Sequence, residues 1–169
     1  MLYTSAEAAK LLRKLNSEFD AITRKEEKSR EFLASVGEDP ESVRPVYDQR
    51  ETQEKLDLLE EKIRRLKHAI NVFNTTTVVE GYGMTVDEML VYIPQLTKKK
   101  EKLTAMSEVL PKARANEPFG RQSSVIDYRY ANYDVEDVTS QLEKVSDELA
   151  AAQLALDGVN HSLKFEIDV

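Results

Sequence analysis

Apolar residues recur at alternating steps of four and three through four long segments, and that spacing permits little except long helices packed along one face. The first runs through Ala8, Leu12, Leu15, Phe19, Ile22, Glu26, Ser29, Leu33 and Val36, and the second through Leu56, Leu59, Ile63, Leu66, Ile70 and Phe73. The third, looser, takes Met89, Ile93, Leu96, Lys100, Leu103 and Leu110. The fourth takes Val135, Val138, Leu142, Val145, Leu149, Ala152, Leu156, Val159 and Leu163. Such a stripe on a slightly underwound helix packs knobs into holes, and the Glu, Lys, Arg and Gln between suit a solvated face. The expectation is an all-α protein of long antiparallel heptad-patterned helices, a four-helix bundle or paired coiled-coil hairpins. The helices should span about 5–36, 48–74, 86–110 and 135–163 in a single domain, 1–169, with a long linker over 111–134.

The helix ends carry their own signals. Thr4 or Ser5 can cap the first helix, with Glu7 completing a capping box, and Gly37 with Asp39-Pro40 stops it. Thr85 with Glu88 forms a second box, flanked by Met84 and Met89 as a hydrophobic staple, after a reversal that Gly81 and Gly83 permit. Asp134 precedes the fourth helix, with Glu136 and Asp137 in its first turn. Pro94 predicts a kink in the third helix. Glu26 and Ser29 place a polar layer in the first stripe, which sets register, admits water or holds a functional carboxylate. "SSVIDYRY", "LKFEIDV" and "TTTVV" alternate as short extended segments, and 75–79 and 163–169 could pair as a ribbon. An up-down-up-down order puts the first helix's start, 71–85 and the C-terminus at one end and both linkers at the other.

Composition narrows the function. A net charge of −7 opposes bulk nucleic-acid binding. No cysteine is present, so thiolate metal sites, disulfides and a Cys nucleophile are excluded. The N-terminus lacks the apolar core of a signal peptide, and no run of about 18 apolar residues exists to cross a membrane. A cytoplasmic protein without membrane attachment is expected. Arg65 and Gly158 stand three residues before His68 and His161, so the Glu-x-x-His of a di-iron bundle is missing, and neither metal nor cofactor is expected. Nothing resembles a G-x-S-x-G elbow or a phosphate-binding Gly-rich loop.

Two groups of residues stand out. "INVFNTT" and "VNHSLKF" each place an Asn after a β-branched stripe residue at a helix end. Asn71, Asn74, Asn160 and His161 are then either paired caps or a polar pocket. The linkers gather Arg44, Arg114, Arg121 and Arg129 with Tyr128 and Tyr130. Guanidinium forks and flat aromatic faces suit an anionic, nucleotide-like ligand. Alternatively the tyrosines close the open end of the core and the arginines pair with local carboxylates.

Taken with the Asp-Pro linker, the Gly-Met-Thr start of helix three, "YDVEDVTSQL" and "LDGVNHSLKF", the pattern resembles the septicolysin-like family of small bacterial helical proteins. Ile70, Asn71 and Asn74 match that family's I-N-x-x-N, whereas its terminal Asn-Trp is here Asn160-His161. The resemblance implies a helical fold of poorly defined activity. No membrane-inserting segment is present to carry pore formation. The sequence therefore reads first as a non-enzymatic interaction or assembly protein. Self-association as a homodimer or larger is expected, since slender bundles expose apolar flanks such as Leu58, Ala69, Val72 and Leu90. The alternative is a small-ligand binding protein using the Arg/Tyr linker or the Asn cluster.

Overall fold

Each long helix begins at the residue whose side chain can replace its missing backbone partners. At Thr4 the hydroxyl accepts from the Glu7 amide at 3.2 Å while the Glu7 carboxylate accepts from the Thr4 amide at 2.8 Å. Thr85 and Glu88 repeat the box at 3.2 and 2.7 Å. Asp48 and Asp134 accept from the amides of Glu51 and Glu136. In the computed structural model, which describes residues 1–115 and 127–168, these caps open α1 (Ser5–Ser29), α3 (Gln49–Thr76), α4 (Val86–Ser107) and α5 (Val135–Ser162). A single turn, α2 (Pro40–Val43), starts on Asp39. Helix takes 68% of the described residues, and strands occur only as three short antiparallel pairs, so the all-α class holds.

The described chain divides into two compact units, Met1–Thr77 with Val159–Val169 and Val78–Gly158. In the first, α1 and α3 run antiparallel. Ala8, Leu15, Leu59, Leu66 and Ile167 form the buried cluster, and Leu12, Phe19, Ile63 and Ile70 pack against it. Burying a leucine as fully as Leu66 contributes about 1.5–3 kcal/mol. β1 (Leu2–Thr4) pairs with β6 (Lys164–Glu166), Tyr3 opposite Phe165. The Phe165 ring stacks on Phe73 at 4.5 Å, so α1's start, α3's end and β6 meet at one end of this unit. In the second unit α4 and α5 form another antiparallel hairpin. Tyr92 on α4 donates to Glu148 on α5 at 3.2 Å, and Tyr133 before α5 donates to the Met106 carbonyl near α4's end.

Several expectations are corrected. α1 stops at Ser29, not 36. Leu33 and Val36 remain in solvent at 95% and 108% exposure, and apolar spacing without burial does not hold a helix. α4 likewise ends at Ser107, leaving Leu110 exposed, and α5 ends at Ser162. α3 continues to Thr76, where the Thr75 and Thr76 hydroxyls bond back to the carbonyls of Asn71 and Val72 instead of leaving the helix. Asn71 and Asn74 therefore lie within α3, and Asn160 lies within α5. Among the described residues, no strand pairing joins 75–79 to 163–168. β2 (Val78–Val79) turns back on β3 (Met84–Thr85) through Gly81 and Gly83 at φ +85° and +64°, the shorter loop closure, and β6 takes β1 instead. α4 passes through Pro94 as one element.

Candidate functional site

Beyond α4, the chain forms a ribbon from β4 (Lys112–Arg114) and β5 (Tyr128–Tyr130). Its register sets Lys112 opposite Tyr130, Ala113 opposite Arg129 and Arg114 opposite Tyr128. Side chains alternate across a strand pair, so Lys112, Arg114, Tyr128 and Tyr130 share one face, and Arg129 lies on the other with Ala113. The Lys112 ammonium sits 4.3 Å from the Tyr128 ring centroid and 5.5 Å from that of Tyr130. Both tyrosines stay half exposed, at 49% and 62%. They do not close the core. Two cations and two phenols thus form an open surface, each exposed cation–ring contact contributing about 0.5–1 kcal/mol.

The other candidates from the sequence divide. Arg44 is satisfied locally, its Nε and Nη2 donating to Glu41 at 3.1 and 2.6 Å with its guanidinium 5.3 Å from the Phe32 centroid. Arg121 lies outside the described residues. Asn71 edges a cleft of about 480 Å³ with Phe19, Ile63, Arg64 and Lys67, and neither Asn74, Asn160 nor His161 lines it. Asn74 and Asn160 are half-buried and His161 is exposed. In that cleft Asn71 therefore stands apart from the other three residues of the expected Asn cluster. Leu58, Val72 and Leu90 stand 59%, 46% and 48% exposed beside their stripes, and Ala69 is half-buried.

The polar layer has a partner in Tyr47, whose hydroxyl donates to Glu26 at 2.7 Å, and that bond to a carboxylate raises the phenol's pKa. The pair edges a cleft of about 330 Å³ between α1's end and α3's start. Glu26 thus anchors the returning linker. Sequence reasoning also missed Tyr82, Tyr92 and Glu148. The two rings lie 6.4 Å apart at 58°, and burial, with Glu148 beside them, pushes both phenols up. The available signal was spacing: Tyr92 follows Met89 by three residues and Glu148 follows Val145 by three, which sets each beside its buried stripe. Among the described residues no three His, Asp or Glu converge as metal ligands, and no helix is long and apolar enough to cross a membrane.

No protein-family model matches the chain, and no curated protein sequence does. Among solved structures, the crystal structure of a functionally unknown conserved protein from Corynebacterium diphtheriae is similar, with a TM-score of 0.62 at 16% identity. The match covers 98% of this chain and 100% of that one. At that identity the likeness concerns the fold alone.

Proposed function

We propose that the chain is a non-enzymatic helical interaction protein that assembles with itself and holds an acidic polypeptide on the β4–β5 ribbon. The observation that carries this reading is the exposed face of Lys112, Arg114, Tyr128 and Tyr130. Small-molecule sites are concave and bury most of their ligand, whereas this face is an open strand pair suited to an extended, larger partner. Its cations favour an anionic one. A cytoplasmic setting and the septicolysin-like resemblance belong to the same proposal. The latter brings a helical fold of poorly defined activity.

The test uses the full chain and polyglutamate as the probe, read by fluorescence anisotropy. Binding that weakens with salt, falls with Arg114→Ala and Tyr130→Ala, and survives Arg129→Ala on the opposite face is the expected result. The competing reading is a nucleotide-like ligand, favoured by the stacking faces of the same tyrosines. A rise in thermal midpoint with nucleotides or sugar phosphates, abolished by Arg114→Ala, would replace the acidic partner with that ligand. Ligands binding only the folded state stabilise it by ~2.7 kcal/mol at a hundredfold excess over Kd.

A further inference from the structure

Among the described residues, β6 pairs with β1 along one edge only. Ile167 donates its amide to the Met1 carbonyl at 2.9 Å, and the Met1 nitrogen donates to the Ile167 carbonyl at 3.0 Å. These two residues are therefore a doubly bonded pair. Antiparallel ladders alternate, so Tyr3 and Phe165 form the next such pair, and the amides and carbonyls of Lys164 and Glu166 point away from β1. Among the described residues no backbone hydrogen bond reaches those outward groups. A cleft of about 490 Å³ lies at this edge, lined by Val72, Phe73 and Thr76 of α3 with Leu163 and all three residues of β6. Val72 and Leu163 are 46% and 43% exposed there.

We propose that β6 is a self-association edge, with a second copy of this chain as its occupant, placed antiparallel about a two-fold axis through Phe165. This proposal rests on the self-assembly reading above and names its surface. The sequence Lys164-Phe165-Glu166 is self-complementary in that arrangement. Lys164 stands opposite the partner's Glu166 and Glu166 opposite the partner's Lys164, so both outward-pointing rungs are hydrogen-bonded and both charge pairs are opposite in sign. The two Phe165 form the central, closely spaced pair on the inner face, continuous with Phe73. The axis brings the cleft of each copy against the other and covers Val72 and Leu163. An uncovered strand edge is otherwise an aggregation liability.

Charge inversion tests the register directly, with mass followed by sedimentation equilibrium across a concentration series. Lys164→Glu alone sets carboxylate against carboxylate twice, and Glu166→Lys alone sets ammonium against ammonium twice. Each should weaken the native dimer by about tenfold or more. The doubly exchanged chain, Lys164→Glu with Glu166→Lys, restores opposite signs and should dimerise like the native one. Mixing the two single variants should restore a mixed dimer. Circular dichroism confirms that each variant is folded. A native dimer indifferent to both inversions would overturn this edge while leaving self-assembly standing. A native chain that stays monomeric throughout the series would overturn both.

Discussion

At the scale of single residues, two glutamates couple helix starts to pH. Glu7 and Glu88 are held below their ordinary value of 4.5, chiefly because each accepts a backbone amide, from Thr4 and Thr85, with the threonine side chain adding to it. A carboxyl whose folded pKa is depressed contributes stability above its unfolded value and loses it as pH falls through the folded one. Stability should therefore decline as pH drops below about 4.5, and Glu7→Gln should flatten part of that decline in urea midpoints taken between pH 2 and 6. A Glu7→Gln chain with an unchanged acid slope would show that the box at α1 does not titrate. Tyr82 and Tyr92 give the opposite sign. Burial raises their phenols, so their contribution is complete below the ordinary value of 10 and is lost as pH rises through the folded values.

At the scale of elements, the heptad stripe is a necessary signal that stops short of the helix end. Leu66 is fully buried on α3, and Leu33 occupies an equivalent stripe position that the fold leaves 95% exposed. Leu66→Ala should cost about 2–5 kcal/mol and Leu33→Ala about 0.5 kcal/mol or less, read as shifts in denaturant midpoint at constant slope. Equal costs would extend the packed hairpin beyond Ser29. The comparison shows what was legible. Helix existence, the boxes at Thr4 and Thr85, and the positive-φ glycines follow from local patterns that the fold does not override. Strand partners were not legible, because three-residue strands such as Leu2–Thr4 carry too little pattern to choose among edges. The candidate site was half legible. Arg114, Tyr128 and Tyr130 were marked by residue type, but Lys112 is recruited only by the register of β4 against β5, and that same register turns Arg129 to the other face. Arg44 follows the alternative reading, pairing with a local carboxylate, since Glu41 sits one turn away in α2.

At the scale of the whole molecule, overall charge and local pairing at β6 make opposite demands, and that opposition can be measured. Two copies at −7 repel over long distances, whereas the Lys164–Glu166 contacts attract at a few ångströms. The screening length falls from about 30 Å at 0.01 M salt to about 8 Å at 0.15 M and about 3 Å at 1 M. Raising salt from 0.01 to 0.15 M removes the repulsion first, so dimerisation should tighten. Toward 1 M the contact pairs are screened in turn, and dimerisation should weaken again. Net charge alone would give a different ordering of variants. Lys164→Glu moves the chain two units down from −7, to −9, and Glu166→Lys moves it two units up, to −5. If general repulsion governed association, Glu166→Lys would dimerise more tightly than the native chain. Register pairing requires both single variants to be weaker and the exchanged double variant, still at −7, to match the native dimer at every salt concentration. Sedimentation of the four chains at 0.01, 0.15 and 1 M salt separates these cases, and a tighter Glu166→Lys dimer would remove Lys164 and Glu166 from the interface.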